Sequence, residues 1–405
     1  MNKNSNVVTI NNFNQFVGEI NELLRNEDTT RYIFRGEKAY CNDDEQHSKI
    51  TPSVFRSRVD GTKYNESQLI DAVLSRFPDN FRNAKSNMDV LLTMQHYRVP
   101  TRLLDITFNP YIALFFATSE PSEKFKKHFV YVIDTKKIQE YNQKVTDSIH
   151  SDVIRMAFDS TVAITAAIAR LTAEDQKELG ELRRYYANMA GALKNLSLCF
   201  ESKQPIKDLQ AIFTNCLEEK ILDIKEKQGN KNNALKEDLL NFTTMKQIYH
   251  LCKNSNLSYK SDFKAENVKD FDSHKITYDA LLAKIWDVMA HEMVINKLLD
   301  SIKYYYPGFS GRIDFKQLEQ YYIVMPHYSN PRIINQKGGF LLLSPFAETK
   351  HVPADFISKV FEFDFTNNDT IKDYQQQLRY MNIDQNFIYP ELENFIHTDY
   401  LQRGG

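Results

Sequence analysis

The chain has 405 residues, 42% of them hydrophobic and 26% charged, which is ordinary for a soluble globular protein and long enough for two or three domains. Its formal net charge of -2 excludes a global pull toward nucleic acid or membrane. No apolar run reaches the roughly 18 residues of a membrane span, the N-terminus lacks a signal-peptide core, and four scattered cysteines, Cys41, Cys199, Cys216 and Cys252, fit reduced thiols; a cytoplasmic protein is expected.

In chain order, Val7 to Ile10 reads as a strand, and Asn11 or Asn12 caps a helix with Phe13, Phe16, Val17, Ile20, Leu23 and Leu24 at helical spacing. Tyr32-Ile33-Phe34 reads as a strand ending at Arg35-Gly36-Glu37, where arginine followed by glycine suits close backbone approach to a ligand. The polar stretch from Tyr40 to Ile50 holds Asp43, Asp44, Glu45 and His47, but at no usual metal-ligand spacing, so no metal is expected there. Thr51 to Arg56 reads as a turn, and Glu66 to Phe77 and Met88 to His96 as helices.

The densest stretch is Gln95 to Thr118. Pro100 biases Val99 away from helical angles, so Gln95-His96-Tyr97-Arg98 forms a corner before a strand from Thr101 to Thr107. Asn109 caps, and Pro110 opens, an almost wholly apolar helix to Thr118. Arg102 and Asp105 lie beside this buried helix, and buried charges are tolerated only when paired or functional. They pair with each other or tie loops together, or they belong to a site.

After Thr135 the pattern turns helical: Val153 to Leu171, Leu182 to Phe200, Ile206 to Ile224, Leu235 to Cys252 and Tyr278 to Tyr305. His291-Glu292 lacks the second histidine of a zinc pair, since Ile295 stands there. Strands return at Tyr321 to Met325, Gly339 to Leu343 and Phe361 to Phe365, followed by a helix from Asp369 to Met381 and a closing helix from Pro390. The expected class is α+β: a small mixed sheet with flanking helices, interrupted by a large all-α insertion. The expected division is 1–135 and 309–405 for the sheet domain and 136–308 for the insert.

Phe34-Arg35-Gly36, Pro52-Ser53 with Phe55-Arg56, Gln95-His96-Tyr97, Pro100-Thr101-Arg102-Leu103-Leu104-Asp105, Asn109-Pro110 and Ala113 to Ala117 together resemble the FRG domain, a bacterial and phage family. The resemblance resumes at Phe129 to Asp134, at Asn330-Pro331-Arg332 with Gln336, Gly338 and Phe340, and at Leu378, Tyr389 to Leu392 and Tyr400. Arg98 stands where the family usually has glycine, Ile106 where an aromatic is common, and Lys337 lengthens the step after Gln336.

This pattern places Arg35, Arg56, Arg102 and Arg332 at strand ends or corners of one domain, and converging guanidinium forks suit a pyrophosphate, hence a nucleotide such as NAD. An arginine on a first strand, Thr101 or Thr107 on a second and Gln336 on a third are similar to the three-part site of mono-ADP-ribosyltransferases. There a carboxylate stabilises positive charge on the ribose as nicotinamide leaves. Under this analogy Arg35, Gly36, Arg56, Thr101, Arg102 and Arg332 bind the cofactor, and His96, Asp105 and Gln336 are the catalytic candidates. Because Gln336 is not a carboxylate, Glu37, Asp105 or Glu348 must supply one.

The resemblance implies a toxin-like or phage-defence effector. The alternative is a recognition module for a nucleotide or protein, with the helical insert mediating oligomerisation or partner binding. In purely structural terms, Arg35 would pair with Asp105, His96 would be a core histidine and Gln336 would cap a backbone group.

Overall fold

A computed structural model of the chain describes residues 6–25, 27–40, 50–58, 60–119, 125–146, 153–184, 292–309, 313, 315, 317–326, 331–343, 346, 350–364 and 368–391. All four cysteines, the acidic stretch at Asp43 to His47, Glu348, and the expected helices at 185–291 and after Pro390 lie outside them.

The chain divides into two compact units, Met1–Thr172 with Ser301–Gly308 and Gln317–Gly405, and Ala173–Asp300 with Phe309–Lys316. In the second unit, helical residues at 173–184 bury Leu179 and Leu182. Val294, Ile295 and Leu298 are buried as well, and Lys297 bridges Asp175 at 2.6 Å.

The first unit is built on one eight-stranded mixed sheet. Its strands are β1 (Val7–Ile10), β2 (Tyr32–Tyr40), β3 (Leu103–Thr107), β4 (Phe125–Asp134), β5 (Ile154–Met156), β6 (Tyr322–Met325), β7 (Gly338–Leu342) and β8 (Ile357–Asp364), in the order β1-β8-β4-β2-β3-β7-β6-β5. The two outer pairs, β1 with β8 and β5 with β6, are parallel and the rest antiparallel. The α+β class is therefore as read from the sequence. The stretch from Val153, expected to be helical throughout, instead opens with β5, which joins the sheet, so the sheet unit continues past residue 135. Three β-capable residues, Ile154 to Met156, are too short a run to show period two against a helical background.

Besides the helical residues at 173–184, the helices among the described residues are α1 (Phe13–Leu24), α2 (Glu66–Arg76), α3 (Asn87–His96), α4 (Pro110–Thr118), α5 (Thr135–Thr146) and α6 (Ser160–Ala167). They are followed by α7 (Met293–Tyr305), α8 (Pro331–Asn335), α9 (Asn368–Tyr380) and α10 (Gln385–Ile388). Their starts are chemically marked. Asn12 accepts from Gln15 N–H at 2.9 Å, and Asn109 accepts from Tyr111 N–H at 2.9 Å with Pro110 at the first helical position. No helix among the described residues is long and apolar enough to cross a membrane.

Side-chain alternation divides the core. On one sheet face, Phe34, Val130, Val132, Phe361 and Phe363 pack under α1, α4 and α9. On the same face but farther along, Leu103, Tyr322, Val324, Phe340 and Leu342 pack under α2, α3 and α6. The opposite face buries Ile33, Leu104, Ile106, Tyr131, Ile323 and Leu341 against α5 and the short turn at Ala354–Phe356. The first face thus carries two separate helical layers, and the boundary between them falls where β2 meets β3.

Candidate functional site

At that boundary the sheet is itself open. β2 is paired with β4 along its whole length, but with β3 only through Phe34 and Thr107. Beyond that pair the link from β2 to β3 is made by the Arg35 side chain. Its Nη1 donates to the Asp105 carbonyl at 2.6 Å and its Nε to Glu37 Oε1 at 2.7 Å. Arg56 lies behind Glu37 at 3.5 Å and is anchored by donating to the Thr51 carbonyl at 2.8 Å. Tyr131, paired with Arg35 across β4, has its phenol pushed upward by burial, with Glu37 adding to the effect and Arg35 opposing it. It therefore remains a neutral backing to the two charges.

A cleft of about 430 Å³ opens over this gap, within the size range of small-molecule sites. Its cations are Arg35, Arg98 and Arg332, its acid is Asp105, and Phe116 and Tyr389 supply aromatic surface. Asp105 is the only exposed residue of β3, flanked by two buried residues on each side.

The hydrogen bonds that hold Asp105 are directional. Leu103 N–H donates to Thr101 Oγ1 at 3.2 Å, and Thr101 gives its own proton to Gln95 Oε1 at 2.5 Å. The Gln95 amide is thereby oriented so that Nε2 donates to Asp105 Oδ2 at 2.8 Å. The second carboxylate oxygen is left for whatever enters the cleft. Ser53 anchors the base of this chain, accepting from Thr101 N–H at 3.1 Å and donating to the Thr101 carbonyl at 3.3 Å.

The far wall comes from the C-terminal part of the chain. The Arg332 guanidinium lies over the Tyr389 ring at 4.6 Å, and Tyr389 packs on Phe115 and Phe116. Gln336 Nε2 donates to the Ile388 carbonyl at 3.1 Å and Asn335 Nδ2 to the Phe387 carbonyl at 2.7 Å, so α8 carries α10 and Tyr389 with it.

Residues 30–126 match the family model of the FRG domain. The chain carries an FRG domain. No curated protein and no solved structure matches the chain. The FRG match supplies Arg35, Gln95, Arg98 and Asp105 of the cleft, whereas Arg332, Gln336 and Tyr389 come from beyond it.

Of the site residues singled out by sequence, the cleft gathers Arg35, Gly36, Asp105, Thr107, Arg332 and Gln336. Arg102 does not line it. Its side chain is 2% exposed and held by Glu66 at the start of α2, with Nε to Oε2 at 2.8 Å and backbone N–H to Oε1 at 3.0 Å. Of the structural alternatives, Arg102 does not pair with Asp105 but with Glu66, 36 residues earlier, which ties the approach to β3 to the start of α2. Arg56 and Thr101 also stand outside the lining and act through Glu37 and Gln95. His96 is exposed at the end of α3, its ring against Tyr97 at 5.1 Å, and is neither a core histidine nor part of the cleft wall. Gln336 lines the cleft, but its amide binds a backbone carbonyl, the structural role weighed for it from sequence.

Two further corrections concern the Phe-Arg-Gly motif. β2 does not end at Arg35 but runs on to Tyr40, so Arg35 is a mid-strand residue. A Cβ on Gly36 would stand 1.9 Å from the Ala113 carbonyl oxygen, so this glycine admits helix α4 against the strand. Gln95 and Arg98, read from the sequence as a corner rather than as site residues, also line the cleft. Gln95 and Thr101 lie at the two ends of the corner that Pro100 helps to form, and that turn is the signal that their side chains meet. Arg98 has a φ of 59°, a left-handed conformation that costs a residue with a Cβ about 1 kcal/mol. Among the described residues no group of three or more His, Cys, Asp or Glu side chains is arranged to hold a metal ion.

Proposed function

We propose that the FRG cleft binds a phosphate-bearing nucleotide such as NAD and cleaves or transfers it in the manner of an ADP-ribosyltransferase. The observation that carries this reading is that Arg35, Arg98 and Arg332 line one cleft with Asp105, its acid among the described residues, whose Oδ2 is held by Gln95. The guanidinium forks suit a pyrophosphate. Phe116 and Tyr389 offer faces on which a base stacks, at about 1–3 kcal/mol per base.

Of the three acids considered for the missing carboxylate, Glu37 is occupied by Arg35 and Arg56, Glu348 lies outside the described residues, and Asp105 is in the cleft. In the reaction the bond between ribose and nicotinamide breaks, with its electron pair leaving on nicotinamide. Asp105 stabilises the positive charge left on the ribose, and water or a target side chain adds to that carbon and loses a proton. The role of toxin-like or phage-defence effector, acting in the cytoplasm, rests on the FRG resemblance.

A recognition module without chemistry is the second reading, favoured by Gln336 standing where the analogy asks for a carboxylate and by its amide being tied to a backbone carbonyl. The two separate in one experiment: calorimetric NAD binding and nicotinamide release by wild type, Arg35→Ala and Asp105→Asn. The enzyme reading expects release to fall by about 100-fold in Asp105→Asn with binding retained, and binding to be lost in Arg35→Ala. Binding by wild type without release supports the module, and no binding removes the nucleotide from both readings.

A further inference from the structure

We infer that Arg98 recognises the outermost phosphate of the cleft's ligand, and that this ligand carries at least a diphosphate. The inference rests on the proposed nucleotide site and adds to it the residue that sets the phosphate count. Arg98 directly follows Tyr97, which closes α3, and it adopts the left-handed conformation at that turn. The turn is made by backbone alone. Arg98 N–H donates to the Gln95 carbonyl at 3.0 Å and Val99 N–H to the Met94 carbonyl at 2.9 Å, the paired bonds of a helix terminus that ordinarily has glycine at this position. Nothing in the turn needs an arginine, and glycine would adopt it without strain. Strain kept at a residue lining a cleft points to the side chain as what is being held.

That side chain is the cleft's available cation. It is exposed and makes no ion pair or side-chain hydrogen bond among the described residues. Arg35 already donates to Glu37 and to the Asp105 carbonyl, and Arg332 lies over Tyr389. Arg35 keeps Nη2 to meet one phosphate, whereas Arg98 presents a whole guanidinium fork to a second.

The test titrates ADP, AMP and inorganic pyrophosphate into the full chain by calorimetry, in wild type and Arg98→Gly, with thermal unfolding of both. Wild type is expected to bind ADP about tenfold more tightly than AMP. Arg98→Gly is expected to bring the two to near equality and to weaken pyrophosphate by about tenfold, leaving AMP within about twofold. Its unfolding midpoint is expected to rise by about 2 °C as the left-handed strain is released, which separates lost binding from lost structure. ADP and pyrophosphate bound by Arg98→Gly as tightly as by wild type overturn the inference. Pyrophosphate binding that depends on Arg98, with ADP bound no better than pyrophosphate, keeps the inference and removes the nucleotide. Binding of none of the three removes both.

Discussion

Replacing Gly36 with alanine is expected to destabilise the sheet unit by about 3 kcal/mol or more, the upper end of what overpacking costs. The added methyl would lie 1.9 Å from the Ala113 oxygen, 2.9 Å from the Ala113 carbonyl carbon and 2.8 Å from the Ala117 nitrogen. All three are backbone atoms of α4, so no side-chain rotation relieves the clash, and the helix must move off β2. That helix buries Ile112, Ala113, Leu114, Phe115 and Ala117, and its displacement would also shift Phe116 in the cleft wall. Gly18 is the control: it lies in α1 with nothing within 4 Å of the place a methyl would take, and Gly18→Ala is expected to stabilise by about 0.5–1 kcal/mol. Urea unfolding of the two variants beside wild type reads both effects. Gly36→Ala unfolding like wild type would show that the close approach of α4 to β2 does not require that glycine.

Glu66→Gln is expected to cost about 3–5 kcal/mol, the usual penalty for leaving one member of a buried ion pair behind. Arg102 is 2% exposed and receives its charge compensation from Glu66, which is itself 6% exposed. Lys350 lies close enough that burial first, and then Arg102, lower its ammonium below the usual value while Glu66 opposes them. Removing the carboxylate therefore takes away the negative charge that offsets both cations. The position of Glu66 in the first turn of α2, capped by Asn65, adds a favourable interaction with the helix dipole that the variant also loses. Exchanging both partners, with Glu66→Leu and Arg102→Met together, is expected to recover much of the loss, as read by urea unfolding of the single and double variants. A double mutant as unstable as the sum of the singles would show that the two side chains do not act as a pair.

The contrast between these two positions shows what the sequence carries. Asn109-Pro110 ahead of an apolar run specifies a helix start locally, and Asn12, Pro100 and the alternation in β1 do the same for their elements. Motif spacing is enough to collect Arg35, Asp105, Arg332 and Gln336 into one cleft. What depends on long-range pairing is not legible. Nothing near Arg102 marks Glu66 as its partner, so a buried structural arginine and a ligand-facing one read alike. Nor does a tripeptide tell whether Gly36 faces a ligand or a helix. Arg98 is an intermediate case: its place where the family usually has glycine marks the turn, and the backbone shows the left-handed conformation that a glycine would adopt without strain.

The most direct test of the cleft assignment is a crystal structure of the full chain with ADP-ribose, which presents the diphosphate and adenine without a nicotinamide to lose. The diphosphate is expected among Arg35, Arg98 and Arg332, the adenine against Phe116 or Tyr389, and the terminal ribose at Asp105. A diphosphate bound elsewhere on the chain, with the cleft arginines in their unliganded contacts, would contradict it.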